Sequence, residues 1–375
     1  MEKDKKERNR RGFFGRVLVF LLSVLAVIGV IAMAASVLSS FVNPERFAWP
    51  ALFGLGFWAI FIYNVLIFTA LLLLWSRKAW IAVLALLIAV PGLMKSVTYK
   101  KHQGEGQLRV LSYNVMRFKD YRDPSKTTMD VAYEIANMVR DKKPDVVCMQ
   151  EFAQFMSKTK RSDCIAQYGE MMGLPYFYYH TKSHFGGNVI FSKYPLTAVE
   201  DESPFGEENL YGAVAHVDAG DKGAFDVICC HLTSFLLTRE ELSMFSDTSN
   251  TKLERQEYSK SVVSKLINAY QRRSLEVQRM LAYVPQDGRP IILCGDMNDT
   301  PLSYTYYQLS RNGFKDAFLM AGKGIGRTYA GKLPLLRIDY AWVNQGIVPT
   351  SFKRIRYRGS DHYPVMMDFN LEKGL

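Results

Sequence analysis

Acidic residues are almost missing from a long stretch near the start of the chain. Between positions 17 and 101 of this 375-residue sequence, Glu45 is the sole Asp or Glu. Cysteine is also scarce, with five in all and no C-x-x-C pair, which removes the usual spacing of a structural zinc site. Cys148, Cys229, Cys230 and Cys294 lie in or at the ends of apolar runs, and Cys164 in a polar one. The first four read as small buried apolar residues. No internal repeat or low-complexity tract occurs. A strong basic footprint is lacking beyond residue 101. Of the net charge of +11, residues 1–16 carry +4 and residues 17–101 carry +5, leaving +2 for residues 102–375. Non-specific nucleic-acid binders carry a basic surface, so this balance counts against that class.

Three long uncharged runs fill the acid-poor stretch: residues 17–42, 47–76 and 79–94. A helix of about 20 apolar residues crosses a bilayer. The first two runs reach that length, and the third does so by extending through Lys95 to about Tyr99. Trp49, Trp75 and Trp80 lie at run ends, where amphipathic rings favour the headgroup level. We therefore expect residues 1–101 to be a membrane anchor with three transmembrane helices (about 17–42, 49–75 and 79–99), too long and too many for a signal peptide. The basic N-terminus (Lys3, Lys5, Lys6, Arg8, Arg10, Arg11, Arg16) belongs on the cytoplasmic side. Three crossings then place residues 102–375 outside the cytoplasm, in the periplasm of a multi-pass cell-membrane protein. Lys95, Lys100 and Lys101 oppose this order. A third run lying in the interface would leave the domain cytoplasmic.

From about residue 106, short β-like runs alternate with helical ones. Strands are expected at 107–114, 145–150, 187–192, 211–217, 224–231, 290–295, 336–343 and 364–369, rich in Val, Ile, Phe and Tyr. Helices are expected at 127–141, 253–284 and 301–311 from apolar residues at helical spacing. Strands that follow one another without a helix indicate mixed or antiparallel sheets. The fold class is thus α/β: a two-sheet α/β sandwich over residues 102–375, preceded by the transmembrane region. The polar segment 236–258 is long for a connection and reads as a functional or a disordered loop.

Polar residues gather where the apolar strands stop. "VLSYNV" ends in Asn114, "VVCMQE" in Gln150 and Glu151, "VICCHLTS" in His231, and "IILCGDMN" in Asp296 and Asn298. "LRIDYAW" carries Asp339, and "GSDHYPV" carries Asp361 and His362. One His or Asp at a strand end is ordinary turn or capping chemistry. Six such ends, with the residue types of metal-assisted hydrolysis, are harder to attribute to turns. Asp299, Thr300 and Pro301 read as the cap and start of the next helix.

The ordered set S-Y-N, Q-E, G-N-x-I-x-S-K-Y-P, H-L, G-D-x-N, I-D-Y and S-D-H resembles the endonuclease/exonuclease/phosphatase superfamily over about residues 106–370. That superfamily includes AP endonucleases, secreted DNases, neutral sphingomyelinases, inositol polyphosphate phosphatases and deadenylases. The resemblance implies that Glu151 ligates a divalent cation, Mg²⁺ with Mn²⁺ as the alternative, with Asn114 beside it and Asp361 assisting. It implies that Asp296 and Asn298 handle the nucleophilic water and the phosphate, that Asp339 orients His362, and that His231 faces phosphate oxygens. Asn188 and Asn114 join the substrate contacts. His231 favours the branch with two active-site histidines. AP endonucleases carry Tyr there and tend to have Asp where this chain has Met116. Which of His362 and Asp296 takes the proton stays open.

The expected function is a membrane-anchored, divalent-metal-dependent phosphoester hydrolase, a phosphodiesterase or phosphatase. The expected partners are the membrane, through the N-terminal helices, and a lipid headgroup, nucleotide or nucleic acid as substrate. No protein partner is implied. Two alternatives are a nuclease in the strict sense and a non-catalytic interaction module on the same fold. The "FLL" at 235–237 either touches a lipid or packs beneath its loop.

Overall fold

The structure, a computed structural model, describes residues 12–100, 104–156, 159–180, 186–198, 212–236, 241, 252–285, 287–331, 333 and 335–372. The basic residues Lys3 to Arg11, Lys101, Leu237 and most of the 236–258 segment lie outside the described residues. The chain divides into two compact units, Met1–Lys95 with Pro301–Tyr304, and Ser96–Thr300 with Thr305–Leu375.

The first unit is helical. Helix Phe13–Leu38 continues as a short 3₁₀ turn to Phe41, and helix Ala79–Ser96 follows later. Both are long and apolar enough to cross a membrane. The run between them is not the single helix expected over 49–75. It forms two helices, Trp49–Leu55 and Phe57–Leu73, bent by 67° at a break. Gly56 sits at that break, where helix propensity is poor. The last helix stops at Ser96 rather than near Tyr99, because Thr98–Tyr99 is extended and pairs with Lys323–Gly324. Ser23, Ala26, Gly29, Met33 and Ser36 are buried along one face of Phe13–Leu38. Small residues there let helices approach closely, and Asn64 Nδ2 donates to Gly29 O at 3.3 Å. Leu302 is buried with Met33, Phe57, Ala85 and Ala89.

Besides the Thr98–Tyr99 and Lys323–Gly324 pair, the second unit holds, among the described residues, twelve strands in two six-stranded sheets. In chain order they are β1 (Leu108–Asn114), β2 (Val146–Phe152), β3 (Tyr176–His180), β4 (Gly187–Ser192), β5 (Leu196–Ala198) and β6 (Gly212–Asp218). Then come β7 (Ala224–His231), β8 (Ile291–Asp296), β9 (Lys315–Asp316), β10 (Asp339–Val343), β11 (Ile347–Arg354) and β12 (Val365–Leu371). One sheet runs β11-β12-β1-β2-β4-β3 and the other β9-β10-β8-β7-β6-β5. Pairs β1–β2 and β7–β8 are parallel and the rest antiparallel. The sheets are therefore mixed, one of the two arrangements the strand succession allowed.

Inner faces of both sheets form one core, with Val110, Val146, Cys148 and Ile190 against Val227, Cys229, Ile292 and Cys294. On the outer face of one sheet, helices Thr128–Lys142 and Arg161–Met172 cover Leu111, Tyr113, Val147 and Met149. On the other, Lys252–Tyr283 and Tyr304–Arg311 cover Ile228, Leu293 and Trp342. Strands buried on both faces read as unbroken apolar runs, which is why β1, β2, β7 and β8 stand out in the sequence. Strand β11 does not, since it contains Pro349 beside a bulge. Proline belongs on edge strands, and β11 is an edge.

Gly295 is a fixed point of this frame. Its φ is +148°, and a Cβ there would lie 1.9 Å from Cys230 O on the paired strand. Gly295→Ala is expected to destabilise the full-length protein by about 2–4 kcal/mol. Thermal unfolding in detergent measures this, and an unchanged midpoint would contradict the close approach.

Candidate active site

Strand register brings the polar ends level. His231 pairs with Asp296 across the parallel β7–β8 ladder, and Asp296 pairs with Asp339 across β8–β10. In the other sheet Asn114 pairs with Gln150, one residue before Glu151. Four side chains meet at Asp296, which is 1% exposed. Its Oδ2 accepts from Asn114 Nδ2 at 3.0 Å and from Asn298 Nδ2 at 3.3 Å, and its Oδ1 from the Asn298 N–H at 2.8 Å. His231 Nε2 and His362 Nε2 stand 3.6 and 3.5 Å from Asp296 Oδ2.

Asp339 holds the other side of His362, with Oδ2 at 3.0 Å from Nδ1. That contact fixes the tautomer with a proton on Nδ1 and leaves Nε2 toward the site. Burial alone would pull the His362 imidazole down, but the carboxylates of Asp339 and Asp296 outweigh it and hold the ring well above its ordinary range. Burial pushes the Asp296 carboxyl up, opposed by His362 and His231 and reinforced by Asp339. Burial also raises Asp361, and Glu151 and Asp296 add to the rise.

Glu151 faces the same centre. Its Oε1 accepts from Asn114 Nδ2 at 3.2 Å and lies 3.8 Å from His231 Nε2. Arg117 Nε is 3.6 Å from Oε2. Glu151 and Asn298 both have left-handed backbone, at φ +53° and +51°. Non-glycine residues held there cost of order 1–3 kcal/mol and cluster at functional sites. His231 Nε2 is buried with no hydrogen-bond partner among the described residues, so a donor position points into the centre unused.

The expected residues do not all sit as expected. Asn114 Oδ1 accepts from the Met116 N–H at 3.0 Å, so the amide presents N–H groups, not an oxygen, to the carboxylates. Asp361 Oδ1 lies 3.9 Å from His362 Nε2. Asn188 is buried on β4 and accepts from Cys229 Sγ at 3.9 Å. Among the described contacts, none joins it to Glu151, His231 or Asp296. The tightest group with metal-ligand atoms is Asp296, Asp339 and His362, within 4.8 Å of one another. Four carboxylates with two of them raised by burial amount to concentrated negative charge. Such an oxygen-rich donor set fits a hard divalent cation.

Sequence reasoning missed the support behind these loops. Arg273 on the Lys252–Tyr283 helix is fully buried. Its Nη1 donates to Thr233 O at 2.9 Å, and its Nε is 3.3 Å from Asp299 Oδ2. Its guanidinium lies over the rings of Phe235 and Tyr270, 4.5 Å from each. Glu276 accepts from both the Thr233 N–H, at 2.9 Å, and the Thr233 hydroxyl. One helix thus holds the segment after His231 and the segment after Asn298. Asp299 is therefore an ion-pair partner rather than a helix cap, since the helix starts only at Tyr304. Phe235 packs on Arg273, while Leu236 is 72% exposed. The signal was Arg273 and Glu276 themselves, one turn apart among the apolar, buried positions Tyr270, Val277 and Met280 of that helix.

With the geometry in place, comparison with known proteins is informative. The model of the Endonuclease/Exonuclease/phosphatase family matches residues 111–362. A domain of unknown function matches residues 16–96. No curated protein matches the chain. Similar solved structures include an endonuclease/exonuclease/phosphatase from Beutenbergia cavernae (18% identity, TM-score 0.48, covering 70% of this chain and 71% of that one). A 3′ phosphatase from Neisseria bound to product DNA hairpin is similar at 15% identity and TM-score 0.49, covering 70% and 99%. A mannosyl-6-phosphatase from Bacteroides thetaiotaomicron is similar at 17% identity and TM-score 0.45, again covering 70% and 99%.

In cation-free protein the His362 ring should stay protonated above its ordinary range, and Asp339→Asn should lower its titration by at least about one unit. Imidazole proton shifts followed by NMR across pH read both. A wild-type ring that titrates in the ordinary range would contradict the pairing.

Proposed function

The chain belongs to the endonuclease/exonuclease/phosphatase family, and from that membership we propose that it is a membrane-anchored, divalent-metal-dependent hydrolase of phosphoester bonds. One observation carries the reading. Asn114, His231, Asn298 and His362 converge on a single buried carboxylate, Asp296, at hydrogen-bond or ion-pair distance, and Asn114 also donates to Glu151. A purely structural domain has no use for two imidazoles and this many carboxylates at one point, because burying them is costly.

Each residue has a task that follows from its surroundings. When bound, a hard cation such as Mg²⁺ or Mn²⁺ neutralises phosphate oxygens so that a nucleophile can approach. Glu151 would be its principal ligand, with Asp361 assisting. Asn114 serves as an oxygen ligand only if its amide turns. As placed, it fixes Glu151 and Asp296 relative to each other. His231 Nε2, without a protein partner, donates to a phosphate oxygen, where charge builds in the transition state. Asp296 orients a water, and Asn298 holds Asp296 in place through its N–H and side-chain amide. His362, charged and backed by Asp339, stabilises that charge and moves a proton at Nε2. Asn188 contributes to substrate binding in this reading only through a side-chain turn toward the centre.

The membrane part of the proposal rests on helix Phe13–Leu38 and helix Ala79–Ser96, with the bent pair as the middle crossing. Three crossings put the catalytic unit outside the cytoplasm. The membrane and a phosphoester substrate are then the partners.

Full-length protein in detergent tests the reading with plasmid DNA, RNA, a chromogenic phosphodiester, sphingomyelin and inositol phosphates. Turnover should require Mg²⁺ and disappear in EDTA. Glu151→Ala, His231→Ala and His362→Ala should each lower kcat by at least about 10²-fold. Retained activity in all three would refute the assignment. A reporter fused after Leu375 should be active only outside the cytoplasm.

A further inference from the structure

The centre of the site is acidic, yet its rim beside His362 is not. The run Lys353-Arg354-Ile355-Arg356-Tyr357-Arg358 places four cations just before Ser360, Asp361 and His362, and all four are exposed. Arg327 approaches from another segment. Residues Tyr329 and His362 form a β-bridge, and the two rings stand 5.7 Å apart. The Ala330 N–H donates to Asp361 O at 2.6 Å, and the Tyr363 N–H to Thr328 O at 2.8 Å. The 327–330 segment is thereby stitched to the residues that carry the chemistry.

Three of the arginines are positioned, not merely present. Arg354 lies over the Tyr363 ring at 4.7 Å and donates through Nη1 to Arg327 O at 3.1 Å. Arg358 lies over the same ring at 5.9 Å. Arg327 donates through Nε to Tyr329 O at 2.6 Å and through Nη2 to Gly331 O at 3.1 Å. Tyr363, the ring that Arg354 and Arg358 share, is buried and directly follows His362. Among the described residues, none of the three pairs with a carboxylate; their partners are carbonyls and a ring. Elsewhere in this unit arginines do pair with acids, as Arg109 does with Asp368, Arg289 with Asp287 and Arg337 with Asp316. Guanidinium groups held by carbonyls and aromatic faces keep their remaining N–H groups in a fixed fork that matches a phosphate.

We propose that Arg327, Arg354 and Arg358 form a second anion site, which takes a phosphate group of the substrate other than the one hydrolysed. This rests on the hydrolase reading and sharpens it, because it selects substrates that carry two phosphates. The carboxylate centre needs a cation to accept its phosphate. The rim carries its own positive charge and does not.

The test compares two nucleotide esters that differ by one group: thymidine 5′-(p-nitrophenyl phosphate) and its 3′-phosphorylated counterpart. The full-length protein should show a KM at least about tenfold lower for the second. Arg354→Gln/Arg358→Gln should remove most of that ratio, and adding Arg327→Gln the rest. Lys353→Gln, exposed on the same run, should keep it. The same comparison with inositol 1-phosphate and inositol 1,4-bisphosphate separates a nucleotide from a headgroup as carrier of the second phosphate. Where the esters are hydrolysed, a preference in either pair that the double variant loses supports the site, and the lack of such a preference in both pairs overturns it. Calorimetric binding of inorganic pyrophosphate in EDTA gives a readout independent of turnover. If no ester is hydrolysed but pyrophosphate binds and the double variant loses it, the hydrolase reading fails and the anion site stands. If pyrophosphate does not bind, or binds the variant equally, the anion site fails.

Discussion

A carboxylate removed from water has to be surrounded by donors, and Asp296 organises this molecule's chemistry for that reason. At 1% exposure it has little water to solvate it. Two asparagines and two imidazoles stand around it instead. Burying an ionised group without partners is far more costly than burying an apolar one. Each of these neighbours is therefore held in place by what Asp296 needs in the folded state. In the proposed function the same neighbours are the ones a phosphoester would meet. Solvation of one acid and assembly of a reaction centre are here a single problem.

The two sheets solve it by register. Parallel pairing of β7 with β8 sets His231 beside Asp296, and antiparallel pairing with β10 sets Asp339 on the other side. Slipping any of these ladders by one residue would turn the polar end into the core. Gly295 helps to lock the register, since the Cys230 carbonyl occupies the space of a side chain there. Glu151 arrives from the other sheet with left-handed backbone. The site thus sits where ladders of both sheets end, and the apolar layer between them carries the alignment.

Much of this was legible in the sequence. Strands β1, β2, β4, β7 and β8 are buried on both faces, so their unbroken apolar runs and polar ends were visible. The order of the motifs carried the fold. What could not be read was packing-dependent. β3 is a run of aromatic residues without alternation, and β11 is interrupted by Pro349. The second apolar run gave its length but not the bend at Gly56, because propensity does not set an angle. Asp299 read as a cap because its true partner, Arg273, is 26 positions away in sequence. The orientation of the Asn114 amide was equally out of reach, as it depends on the Met116 N–H.

Arg273 has one more implication. Its guanidinium takes the Thr233 carbonyl from one loop and the Asp299 carboxylate from another, and it is sealed between two rings. Glu276 on the same helix also holds Thr233, and Thr305 and Tyr340 hold Asp299. Loss of the helix contacts on heating would loosen both loops together, so inactivation would proceed as one step instead of two. The sheets, whose cores lie elsewhere, would outlast it. The molecule would then pass through a state that keeps its architecture and has lost its competence.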